Sequence, residues 1–142
     1  MTVGASAESP GSRPDRATAS DAEGDADRFW TDVCALEEIW PNSGAAALVA
    51  GQQIALVRFG EGDRVYGLSN FDPFSDAFVI ARGIVGDRAG RPKIASPIYK
   101  QSFDLETGAC LDDPQVVLAT YPVRVRDGRV EVAVAAGDPQ PG

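Results

Sequence analysis

Four positions in two proline-bearing stretches pose the chemical question. Asp72 and Phe74 lie in Asn70-Phe71-Asp72-Pro73-Phe74, and Ser96 and Tyr99 in Ser96-Pro97-Ile98-Tyr99-Lys100. The prolines, turn residues and spacing are those of a loop pair that grips a ligand. The side chains at the gripping positions suit no soft metal: Phe74 has no donor atom, and Ser96 and Tyr99 offer weakly acidic hydroxyls. The chain has no histidine, which removes a His-based triad, an imidazole zinc site and a haem held by His. Its two cysteines, Cys34 and Cys110, are expected as buried free thiols, with a Cys34–Cys110 bridge as the alternative. No nucleophile–base pair can be named. Catalytic residues, a metal site and independent catalysis are therefore not expected of this chain.

Other groups of polar residues invite the same weighing. Gly83 to Lys93, GIVGDRAGRPK, has three glycines and three basic residues but lacks the G-x-x-x-x-G-K-[ST] spacing of a phosphate loop. It reads as a long exposed loop between the two motif stretches. Arg82, Arg88, Arg91 and Lys93, with Lys100, would form a basic patch; Arg82 and Lys100 are the candidates for docking an acidic partner. Asp104, Glu106, Asp112 and Asp113 lack the ordered spacing of a calcium loop and read as turn and surface residues. Trp30 and Trp40 read as core and edge packing rather than interface anchors.

The elements that must position these residues are short strands. Gln53–Phe59 is apolar and β-rich, and GEGD then leads into Val65–Leu68, a hairpin with a glycine-containing loop. YPVRVRDGRVEVAV holds the strongest local signal. Asp127-Gly128 suits a two-residue type I′ turn, in which both residues need positive φ. That turn sets Val125 opposite Val130 and Val123 opposite Val132 on a buried face. It sets Arg124 opposite Glu131 on the wet face, a pair worth about 0.2–1 kcal/mol. Lys93–Ala95 and Ser102–Leu105 read as further strands, the second ending in the turn Glu106-Thr107-Gly108. A short helical segment is expected near Trp30–Trp40 or around Asp112–Val117, without a sustained 3.6-residue period. The fold class is mostly β, a small sandwich or barrel of short antiparallel strands.

At 142 residues the chain fits one domain. Residues 1–28 hold almost no large apolar side chains and read as a disordered tail; residues 29–136 read as the domain and 137–142 as a frayed end. Asp and Glu outnumber Lys and Arg by 21 to 13, a net charge of −8. That balance argues against a nucleic-acid partner and against docking on an anionic membrane. No apolar run approaches the roughly 18–20 residues that span a bilayer, and no signal-peptide core follows the first charges, so a cytoplasmic location is expected.

The two stretches resemble the loops of a Rieske domain, which holds a [2Fe-2S] cluster with two cysteines and two histidines. Asn70–Phe74 is similar to the first such loop, Ser96–Lys100 to the second, and FDLETGAC to the strand and turn beyond. The resemblance puts Asp72 and Phe74, and Ser96 and Tyr99, where the Cys and His ligands would be. It implies a Rieske-like fold without a [2Fe-2S] cluster. Phe74 and Tyr99 are then expected to fill the vacated volume, at about 1.5–3 kcal/mol for a buried aromatic. Asp72 or Ser96 is expected to accept from neighbouring loop N–H groups.

Across nearly all of Phe29–Val134 the chain resembles the small subunit of the assimilatory NAD(P)H-dependent nitrite reductase. The most specific pieces are Asp72-Pro73-Phe74-Ser75, Arg82-Gly83-Ile84-Val85-Gly86-Asp87 and Ser96-Pro97-Ile98-Tyr99-Lys100. The resemblance implies a large-subunit partner carrying FAD, a [4Fe-4S] cluster and sirohaem, which oxidises the nicotinamide and reduces nitrite to ammonium. It implies that the small subunit carries no cofactor and supports the large one. The alternative is a free-standing Rieske-like binding module for another reductase or oxygenase.

Overall fold

The computed structural model describes Thr2–Val3 and residues 28–135, and places thirteen strands there. β3 (Ser43–Val49), β4 (Gln52–Arg58) and β5 (Val65–Ser69) form the middle of one sheet, with β1 (Thr2–Val3) and β11 (Thr120–Tyr121) at its edges. β2 (Arg28–Ala35), β12 (Val123–Arg126) and β13 (Arg129–Ala135) form a second sheet. β8 (Ile84–Arg88), β9 (Arg91–Ala95) and β10 (Ser102–Asp104) form a third, and the short β6 (Phe71–Asp72) and β7 (Ala77–Phe78) pair with each other. The chain is mostly β, as its sequence implies. Among the described residues no helix is long and apolar enough to cross a membrane.

The central sheet separates two cores, and β4 shows why. Its run Ile54-Ala55-Leu56-Val57 is fully buried. Alternate side chains of a strand point to opposite faces. Ile54 and Leu56 therefore pack with Val33, Cys34, Val130 and Val132 of the second sheet, while Ala55 and Val57 pack with Ile80, Ile94, Phe103 and Leu105. A strand covered on both sides reads as a continuous apolar run rather than an alternation.

The hairpin of β12 and β13 follows the register its turn dictates. Asp127 and Gly128 both take positive φ, at 53° and 75°. Val123 lies opposite Val132, Arg124 opposite Glu131 and Val125 opposite Val130. Arg124 Nε donates to Glu131 Oε1 at 2.6 Å, and its guanidinium also lies 3.9 Å from the ring centroid of Trp30. β4 and β5 pair antiparallel from Arg58 opposite Val65, as the GEGD loop leads one to expect.

The expected short helical segment lies near Trp30–Trp40, as the 3-10 turn Leu36–Glu38, while β2 runs through Ala35 against β13. The Val-rich strand β13 supplies a pairing edge that the rest of a weakly periodic segment takes in preference to a helix. Asp112–Val117, the other place expected for it, is turn. Two expectations need correction. GIVGDRAGRPK is not a loop but the hairpin of β8 and β9, closed at Ala89 and Gly90, both with positive φ. Trp40 is 71% exposed, so it packs in neither core.

At the N-terminus Thr2–Val3 pairs parallel with Ala46 and Ala47 of β3. The remainder of the expected disordered tail, residue 1 and residues 4–27, and the expected frayed end at 137–142 lie outside the described residues.

Candidate functional site

The loop between β6 and β7 and the loop between β9 and β10 are two versions of one turn. In the first, the Asp76 N–H donates to the Asp72 carbonyl at 2.7 Å; in the second, the Lys100 N–H donates to the Ser96 carbonyl at 3.1 Å. Proline follows the first residue of each turn, and the closing residue takes positive φ, 59° at Asp76 and 68° at Lys100. A proline fixes its own φ near −65° and biases the residue before it towards extended backbone, which starts both turns alike. Within each loop the first side chain then accepts from an N–H two residues on. Asp72 Oδ1 accepts from Phe74 at 2.9 Å, and Ser96 Oγ from Ile98 at 3.3 Å.

The two first residues also join the loops directly. Ser96 Oγ donates to Asp72 Oδ2 at 2.5 Å, and Ser75 Oγ donates to the same oxygen at 2.9 Å. Asp72 and Ser96 are both fully buried. All three partners of Asp72 are donors, which suits an ionised carboxylate, an acceptor-only group. Burying a charge is costly unless such bonds replace its water. Asn70, also buried, fixes the frame beneath. Its Oδ1 accepts from the Ala81 N–H at 2.7 Å and its carbonyl from the Ile80 N–H at 3.1 Å. The residues just before and just after the first loop are thereby tied together.

The four residues that the resemblance puts at ligand positions have different fates. Asp72 and Ser96 meet. Phe74 turns partly inward, its ring 6.2 Å from that of the buried Phe103 and packed against the second core, as expected of a filling side chain. Tyr99 does not fill the site. It is 60% exposed at the outer corner of its turn, and Ile98 beside it is 46% exposed. One buried carboxyl, one buried hydroxyl, one phenyl ring and one outward phenol do not fit a [2Fe-2S] cluster, which Rieske domains hold with thiolate and imidazole. Among the described residues no group of three or more His, Cys, Asp or Glu could hold a metal ion.

The expected basic patch is divided. Arg88 pairs with Asp112 at 3.3 Å, Arg91 pairs with the buried Asp104, and Lys93 donates to Ser102 Oγ at 3.2 Å. Asp104 also accepts from the N–H groups of Glu106 and Thr107, and Asp112 from that of Ser102. These acids are turn and ion-pair residues. The Ser102 N–H, aided by Arg88, holds the Asp112 carboxyl below its usual range. Arg82 is exposed and makes no ion pair among the described residues, and Lys100 Nζ donates only to the Pro97 carbonyl.

Cys34 and Cys110 are free and buried, in different cores. Burial, with Glu38 adding to it, pushes the Cys34 thiol up to about 11. An unfolded thiol loses its proton near 8.5–9. Between those values the folded chain holds one proton more than the unfolded chain, so stability falls as pH rises. The stability difference between wild type and Cys34→Val is expected to shrink by about 2–3 kcal/mol from pH 8 to pH 11. Urea denaturation across that range checks it, and a difference that stays constant sinks it.

Reading the sequence missed the direct bond between Asp72 and Ser96 and the tie made by Asn70. A signal for the first was present: an Asx- or Ser-turn former stands immediately before each proline. Nothing local to Asn70 announces a partner eleven residues on.

Residues 29–133 match the family described as a Rieske-like [2Fe-2S] domain. The chain is 39% identical over 103 residues to the nitrite reductase (NADH) small subunit of Salmonella typhimurium, covering 72% of this chain and 95% of that protein. It is 41% identical over 105 residues to part of the nitrite reductase [NAD(P)H] large subunit of Klebsiella oxytoca, covering 74% of this chain and 11% of that one. A solved structure described as an NADH-dependent nitrite reductase small subunit from Mycobacterium tuberculosis superposes with a TM-score of 0.73 at 47% identity, covering 77% of this chain and 97% of that one.

Proposed function

This chain belongs to the nitrite reductase small subunits, a family of Rieske-like domains, and from that premise we propose that it is the accessory subunit of an NAD(P)H-dependent nitrite reductase. Its partner is the large subunit, which carries FAD, a [4Fe-4S] cluster and sirohaem and reduces nitrite to ammonium. This chain contributes no redox centre and performs no catalysis alone. It works in the cytoplasm.

The observation that carries this reading is the bond between Asp72 and Ser96. Where a Rieske domain would place ligands, two side chains of the chain itself close the gap. Neither of the other two residues offers iron a thiolate or an imidazole. The frame persists as shape. A shape without a redox centre contributes by association: it holds a partner in its working form or completes a surface of it. The Klebsiella relative supports a large-subunit partner over a free-standing module, because there a similar domain occupies part of a large-subunit chain. Fusion of that kind raises the effective concentration of two units that otherwise meet by diffusion.

Co-expression of the large subunit with and without this chain tests the reading. Nitrite-dependent NADH oxidation, or the thermal stability of the large subunit with its cofactors, is expected to be higher when the chain is present. Equal rates and equal stability would count against it.

A further inference from the structure

Six large apolar side chains are exposed among the described residues: Trp40, Leu48, Ile84, Ile98, Tyr99 and Val117. Scattered singly, such residues need no explanation. Three of these share one end of the molecule. Ile84 lies opposite Ala95, the residue before Ser96, and is 64% exposed. Ile98 and Tyr99 form the outer corner of the turn that Ser96 begins. Two cations that make no ion pair among the described residues flank them, Arg82 on the approach to β8 and Lys100 at the end of the turn, while Arg88 and Arg91 in the same hairpin are neutralised by Asp112 and Asp104. An acidic chain of net charge −8 thus keeps unmatched positive charge beside an apolar corner.

We propose that this end, with Ile98 and Tyr99 at its centre and Arg82 and Lys100 at its rim, is the face that docks on the large subunit, in an apolar depression bordered by carboxylates. The proposal rests on the accessory-subunit reading above. Aromatic and apolar anchors inside a charged rim are the usual composition of an association surface. Complementary charge steers the encounter and fixes its register. The buried bond between Asp72 and Ser96 holds the corner in place before binding, so little order is lost when the partner arrives. The exposed Tyr99, out of place as a filler of the vacated site, is in place as an anchor.

The test uses the full chain and its cognate large subunit loaded with its cofactors. Affinity is measured for wild type, Tyr99→Ala, Ile98→Ser and the double charge reversal Arg82→Glu with Lys100→Glu, with Leu48→Ser on β3 as the control. Tyr99→Ala is expected to weaken binding roughly 10- to 30-fold. The charge reversal is expected to weaken it about 10-fold at low salt and less at high salt. Leu48→Ser is expected to stay within about twofold. All these side chains are exposed, so thermal unfolding of the isolated variants confirms that they remain folded. Wild-type binding with every corner variant unaffected, or with Leu48→Ser the only weakened one, overturns the docking face and leaves the accessory role standing. A wild type that does not bind the large subunit overturns the accessory role itself.

Discussion

Replacing Asp72 with alanine is expected to destabilise the domain by about 3–4 kcal/mol, among the larger effects a single substitution can have here. The reason is the number of donors that lose their acceptor together. The Phe74 N–H, the Ser75 hydroxyl and the Ser96 hydroxyl all end on this carboxyl, which is fully buried. Hydrogen bonds to a charged group are worth about 1.5–3 kcal/mol each but do not add when they share a partner. Alanine leaves the second loop unattached to the first. Urea denaturation measures the loss. A double-mutant cycle with Ser96→Ala separates the joint from local turn effects and is expected to show a coupling of at least about 1 kcal/mol. A coupling near zero would mean that the two loops are held by their own turns and that the shared bond is incidental.

Gly83→Ala is the second large effect, of about 3 kcal/mol or more. Gly83 has an ordinary extended backbone, φ −78° and ψ −177°, so the cost comes from contact rather than from strain at the residue itself. A Cβ there would stand 2.2 Å from the Ala95 carbonyl oxygen and 2.9 Å from Ile94 Cγ1. The carbonyl belongs to β9, the middle strand of its sheet, and Ser96 follows it directly. Room for the methyl group is made only by moving the strand that carries Ser96 towards Asp72. The substitution therefore attacks the joint from behind. Gly86→Ala, three residues on with nothing within 4 Å of its added Cβ, is the matched control and is expected to change stability by no more than about 0.5 kcal/mol. Similar denaturation midpoints for the two variants would contradict this account.

Much of the scaffold could be read from the residues because the relevant forces are local. Asp-Gly between alternating valines determines a turn, and the turn determines three cross-strand pairs, all found as expected. Prolines and turn formers likewise marked both loops. What was hidden depends on partners distant in the chain. Most of β2 fell within the stretch where a short helical segment was expected, and its strand pattern is interrupted by an irregularity: Cys34 lies opposite Val130 and Asp32 opposite Glu131, so Val33 is the additional residue. A bulge turns two successive side chains inward, and Val33 and Cys34 are indeed both buried. It also sets Asp32 against Glu131, a repulsive pairing offset by Arg129 on Asp32 and by Arg124 and Arg126 on Glu131. No pattern within Arg28–Ala35 reveals this.

The site divides in the same way. That Asp72 and Ser96 would serve as turn acceptors followed from residue type. That they would meet each other, and that Tyr99 would face outward, required the third sheet to be assembled first. The segment Gly83 to Lys93 was read as a loop because it lacks the spacing of a phosphate loop, yet Ala89-Gly90 makes it a hairpin whose inward residues, Pro92 and Ile94, are buried.

The hydroxyl-to-carboxyl joint has a consequence for how this protein matures. It forms from the polypeptide's own atoms as the chain folds, so closing the two loops waits on no iron donor, sulfur carrier or assembly chaperone. Nor does the joint contain a metal–sulfide core for oxygen or peroxide to attack. On the accessory-subunit reading proposed above, folding alone brings this subunit to its binding shape, whatever the supply of iron.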